Sequence, residues 1–244
     1  MDLQTDALVD AITLPATSEK VAALDNASIS TSRNVTGLEV RLSQVHIKDN
    51  RTLKLPGFPG RASIYLMLLV VDNLGAEPKA LTISTFPDVD DNEDLPADRT
   101  AYYWESSDTQ TVAPTQIHVM LSVLKSKKKV RDAGDALAAA KASPKYLDVL
   151  TQLVAAVATA PTKVAELALS LGGMVGGFLS NVEDRPLFSQ VLSFTDIYGD
   201  FDALGKTEHL QENDFVSTKL TLAVRDVQRE KELTAHLAQP GAAV

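Results

Sequence analysis

With 244 residues, 45% of them apolar, the chain is long enough to bury a core of its own, as one large domain or two small ones. A formal charge of −9 argues against a general nucleic-acid binder, because phosphate backbones are held by concentrated positive surface. The absence of cysteine rules out disulfides, thiol nucleophiles and cysteine-ligated metals.

Residues 1–34 are rich in Asp, Ala, Ser and Thr and read as a loosely attached arm, with Leu3, Ala7, Leu8, Ala11 and Ile12 spaced for a short helix. The opening MDLQTDALVD is acidic and has neither the basic start nor the apolar core of a cleavable signal, so the expected location is cytoplasmic, or exported without a classical signal peptide.

Residues 37–47 alternate as a strand through Leu38, Val40 and Leu42, then slip one step to Val45 and Ile47, which predicts a bulge at Ser43 and Gln44. LPGFPG at 55–60 is a rigid loop. The run at 62–71, ASIYLMLLVV, is apolar throughout and reads as a central strand with both faces covered. A turn at 72–75 leads into a further strand at 80–86.

The acidic loop at 88–98 holds Asp88, Asp90, Asp91, Glu93, Asp94 and Asp98. Clustered carboxylates are the raw material of a calcium site, but the glycine and glutamate that complete an EF-hand are missing, and a solvated loop is the other reading. AYYW at 101–104 is a strand with its rings on the core, or a stacking platform. Residues 115–124 form a half-buried strand through Ile117, Val119, Leu121 and Val123, with His118 on the opposite face as a surface or cross-strand residue.

Lys125, Lys127, Lys128, Lys129 and Arg131 follow as the one concentrated positive stretch. They suit contact with an acidic partner or an anionic membrane surface, pairing with the acidic loop, or a solvated loop. Residues 132–141 begin helical territory. The stretch 146–180 reads as two amphipathic helices hinged at Ala160 and Pro161, with Ser143 as cap and Pro144 in the first turn.

Gly172, Gly173, Gly176 and Gly177 each weaken the second helix, by roughly 1 kcal/mol against alanine. Close approach of its backbone to a sheet would account for them, as would helix association in lipid, although Lys163 and Glu166 cut the apolar run short of a span. Strands resume at 188–195 and 214–224, separated by a loop at 198–205, and the tail to 244 reads as frayed or a short helix.

About seven strands without strand–helix alternation imply a mainly β fold with an α insertion: an antiparallel β-sandwich over 35–225 carrying a helical hairpin insert at about 132–180, with a tail at 226–244. The segments GLEVRLSQVHIKD, ASIYLMLLVVDN and IHVMLSVLKSKKKVRDAGDAL resemble parts of a C2-like β-sandwich domain, and the resemblance that rests on them covers about half of the chain. Calcium-binding members of that family carry aspartates in the loops at one end, including an Asp-x-Asp after the strand matched by IHVMLSVL. Lys125 and Lys127 stand there in this chain, so the resemblance leaves Asp49, Asp88, Asp90 and Asp91 as the calcium candidates and suits calcium-independent contact with an acidic partner.

No nucleophile elbow, phosphate loop or zinc-protease motif is present, and His46, His118, His209 and His236 have no metal-binding partner at helical or strand spacing. The expectation is a non-enzymatic binding module that contacts a protein partner or membrane surface with its sandwich-end loops and takes no cofactor other than calcium. The alternatives are a membrane-active effector that deploys 146–180, or a structural subunit whose arm and tail make the contacts. The sequence leaves the oligomeric state open.

Overall fold

The computed structural model describes residues 35–53, 60–75, 78–107, 112–126, 133–179 and 186–237. In chain order the strands are β1 (Gly37–Ile47), β2 (Ala62–Asp72), β3 (Ala80–Val89), β4 (Glu93–Asp94), β5 (Arg99–Glu105) and β6 (Gln116–Ser126). Three helices follow, α1 (Ala133–Lys141), α2 (Pro144–Thr159) and α3 (Val164–Leu179), and then β7 (Pro186–Thr195), β8 (Gly205–Glu212), β9 (Val216–Arg225) and helix α4 (Val227–Leu237).

The strands make two antiparallel sheets stacked as a sandwich. In one, β1 lies between β9 and the pair β4 and β5, and β8 forms the far edge; the other runs β3, β2, β6, β7. The alternation in β1 dictates its burial, since Leu38, Val40 and Leu42 face the other sheet. Leu42 then pairs with Leu220 while Gln44 pairs with Lys219, so Ser43 is the extra residue of a bulge. That added residue returns Val45 and Ile47 to the core, as the slip in the sequence pattern requires.

The strand β2 is buried on both faces. Ile64, Leu66, Leu68 and Val70 enter the core between the sheets, while Tyr65, Met67, Leu69 and Val71 enter a second core. There they meet Tyr146, Val149, Leu153 and Val157 of α2 and Val164, Ala168, Leu171 and Val175 of α3. The molecule therefore has three layers, two of sheet and one of helix.

Helix α2 has Pro144 in its first turn, as expected, but Ser143 makes no side-chain cap; its carbonyl accepts from Leu147 N–H at 3.1 Å. The helix stops at Ala160, and a 3₁₀ turn over Pro161–Lys163 leads into α3. Close approach accounts for Gly172 alone among the glycines whose surroundings are described in α3. A Cβ there would lie 3.0 Å from Met67 Cε and 3.1 Å from Met120 Sδ, whereas Gly173 and Gly177 face open space. Among the described residues no helix is long and apolar enough to cross a membrane.

Two strands depart from the sequence reading. The strand β8 falls where the pattern gives no element, because GKTEHLQE is an edge strand whose inward residues, Thr207, His209 and Gln211, are themselves polar. The two residues of β4 fall inside the acidic loop. Beyond β9 the tail forms α4, whose first turn is capped by buried Asp226, its Oδ1 accepting from Gln228 and Arg229 N–H at 3.0 and 3.1 Å.

Candidate interaction site at one end of the sandwich

The antiparallel registers bring the end of β1, the start of β2, the β3–β4 turn, the start of β9 and the end of β6 to one end of the sandwich. Both charged stretches singled out in the sequence are attached there. Lys125 sits half-buried at the end of β6, opposite Ile64; Lys127, Lys128, Lys129 and Arg131 lie outside the described residues.

Asn50 is the centre of this end. Its side chain is fully buried, donating through Nδ2 to the carbonyls of Gly60 and Val89 at 2.9 Å each and accepting from Thr52 N–H at 2.8 Å. Its own N–H donates to Asp91 Oδ1 at 2.8 Å. One amide thus ties the β1–β2 loop to the end of β3 and to the following turn. A buried amide with these bonds satisfied holds the described ends of that loop in place.

The backbone here is unusual. Arg51, Asp88 and Asn92 have φ of 55°, 56° and 57°, and they are the three non-glycine residues with positive φ among the described residues. Side chains other than Gly, Asn and Asp adopt this region at a cost, and such positions cluster at functional sites. Asp49 Oδ1 accepts from Arg51 N–H at 2.6 Å, and the Arg51 guanidinium lies 4.7 Å from the centre of the Phe215 ring.

The candidate calcium ligands are placed as follows. Asp49 and Asp88 are exposed, and Asp90 Oδ1 accepts from Asp91 N–H at 2.8 Å. Asp90 N–H donates to Glu93 Oε2 at 2.7 Å, and Asp91 is engaged by Asn50. The fold brings them to one end, yet among the described residues no group of three or more His, Asp or Glu stands in position to hold a metal ion. Asp94 accepts from Gln44 Nε2 at 3.1 Å and His46 Nδ1 at 2.9 Å, hydrogen bonds that hold its carboxyl below the usual range.

At the opposite end the aromatic run divides. Tyr102 and Trp104 are in the core, and Tyr103 alone is exposed, bonding Glu105 Oε2 at 2.6 Å. Tyr102 Oη donates at 2.7 Å to Asp72, a buried carboxylate that also accepts from Leu74 N–H and faces Lys79 at 3.5 Å. Burial, and then this bond, push the Tyr102 phenol up. The sequence reading placed Asp72 in an ordinary turn; its burial depends on β5, which is distant in the chain.

His118 is a cross-strand residue, as one of the two expectations had it, but a buried one. Its Nδ1 lies 2.8 Å from Ser193 Oγ and its Nε2 3.3 Å from Gln116 Oε1. Burial lowers its pKa to about 4. No family model matches the chain, and no curated protein matches it.

Proposed function

We propose that the chain is a non-enzymatic interaction module that holds a protein partner with the loops around Asn50. The observation that carries this reading is the convergence of Arg51, Asp88 and Asn92, all at positive φ, on one loop end locked by a buried amide. Such a rim is pre-organised, so little conformational entropy is lost when a partner docks. Exposed Asp49, Asp88, Glu93 and Asp94 make the side of this end formed by the β1–β2 loop and the β3–β4 turn mostly acidic around exposed Arg51, which fits basic residues on the partner there.

The reading of a C2-like sandwich with a helical insert accords with the chain order, because β6 and β7 are neighbours in their sheet and α1 to α3 form an excursion between them. The non-enzymatic part carries over the sequence reading, in which no nucleophile elbow, phosphate loop or zinc-protease motif occurs.

The test places a photo-crosslinking side chain at Asp88 and, as a control, at Glu208 on the outer face of β8. Crosslinks to one protein from position 88 alone are expected, and Asp88→Lys combined with Glu93→Lys should weaken that complex at least tenfold at a temperature well below the melting point of the variant, which the positive φ at 88 and the lost bond to Asp90 N–H lower. Equal crosslinking from both positions would sink the proposal. So would binding that survives the charge reversal, and vesicle flotation without a protein partner would assign the loops to a membrane surface instead.

A further inference from the structure

The three residues at positive φ are not equivalent. Asparagine and aspartate enter the left-handed region more readily than other side chains, so Asn92 and Asp88 sit there with little strain. Arginine has no such ease, and glycine or asparagine would hold the same turn at position 51 with less strain. A residue kept in an unfavourable conformation points to a use for its side chain.

The surroundings fix where that side chain stands. Asn50, the residue before it, is fully buried, and Asp49 Oδ1 takes the Arg51 N–H at 2.6 Å. The guanidinium lies over the Phe215 ring, 4.7 Å from its centre. That ring is itself held in place: Phe215 N–H donates to Asn213 Oδ1 at 2.9 Å, and its carbonyl accepts from the N–H groups of Lys48 and Asp49 at 2.7 and 3.2 Å. A guanidinium stacked on a ring keeps its N–H donors in its own plane, open to a second ligand.

Arg41 shows what such a fork does when a carboxylate is at hand. Its Nε and Nη2 donate to the two oxygens of Asp98 at 2.7 and 2.8 Å. Arg51 is exposed, and among the described residues no carboxylate or other acceptor engages its guanidinium.

Charge decides what the open fork takes. Guanidinium pairs bidentately with carboxylate and with phosphate. Asp49, Asp88, Glu93 and Asp94 are exposed at the same end, and they repel a dianionic phosphate or a polyanion more than a single carboxylate. Basic residues on either side of that carboxylate would face the four acidic ones.

We infer, resting on the loop end as the partner site, that Arg51 is its anchor: the guanidinium receives a Glu or Asp carboxylate of the protein partner, one that stands among basic residues. The strain and the stacking are then the means by which a planar cation is held ready in an acidic surround.

The protein crosslinked from position 88 serves as the probe. Arg51→Asn removes the guanidinium and suits the backbone, so it should weaken that complex at least tenfold while the chain melts no lower than the wild type. Arg51→Lys keeps the charge without the fork and should recover little of the affinity. Arg51→Glu should abolish binding, and among Lys replacements of the partner's Glu and Asp residues one should restore it.

Full binding by Arg51→Asn or Arg51→Lys would overturn the anchor and leave the loop-end reading standing. A clear fall in the melting temperature of Arg51→Asn would make Arg51 a structural residue and overturn it too. Binding lost on phosphatase treatment of the partner would make the anion a phosphate, against the carboxylate. Should position 88 capture no protein, the loop-end reading fails and the anchor with it.

Discussion

His118 shows what one buried polar residue does to the pH response of the molecule. Its imidazole is 3% exposed and stays neutral in the folded state down to about pH 4, whereas in the unfolded chain it takes up a proton near its ordinary value of 6.5. The unfolded state therefore binds more protons than the native state between these values. The stability that this histidine provides is complete above pH 6.5 and is lost as the pH falls towards 4, by at most about 1.4 kcal/mol per pH unit. Denaturant titrations at several pH values should show that slope, and His118→Gln should flatten it. His209, whose pKa burial also lowers, leaves a residual slope of the same sign.

At the scale of the element, α3 poses a comparison between glycines. Gly173→Ala adds a methyl group in open space and should stabilise by roughly 1 kcal/mol through helix propensity. Gly172→Ala brings the same propensity gain but puts its Cβ 3.0 Å from Met67 Cε and 3.1 Å from Met120 Sδ. Overpacking of that kind costs about 1–3 kcal/mol, tempered by the flexibility of methionine. Urea midpoints should rise for the first variant and stay level or fall for the second; equal increases would show that α3 does not rest tightly on β2 and β6. The contrast between β1 and β8 belongs to the same scale. The bulge in β1 is legible because its apolar residues change step. The strand β8 leaves no such trace, because a strand at the rim of a sandwich can turn polar residues to both sides.

For the whole molecule, the double burial of β2 makes the two cores one cooperative unit. Leu153 of α2 is completely buried against the outer face of the β3-β2-β6-β7 sheet, while Trp104, the single tryptophan, lies in the core between the sheets. Leu153→Ala should cost about 2–5 kcal/mol. It should move helical circular dichroism and Trp104 fluorescence to the same lower midpoint, although the two residues lie in different cores. Separate midpoints would mean that the helical layer unfolds independently of the sandwich.

The sequence by itself determined which segments become strands and helices, β4 and β8 apart, where β1 bulges, where α2 ends, and that β2 is covered on both sides. These are local consequences of side-chain period and of proline geometry. It also picked out the acidic loop and Lys125, but not Asn50, whose only sequence signal is its place beside Asp49 in a polar loop. The tertiary structure decided that Asn50 is buried by carbonyls that lie 10 and 39 residues away, and that Asp72 meets Tyr102 across 30 residues. It also decided which strands stand at the edges. These outcomes depend on strand order and register, properties of pairs of distant segments that the periodicity of either segment alone does not contain.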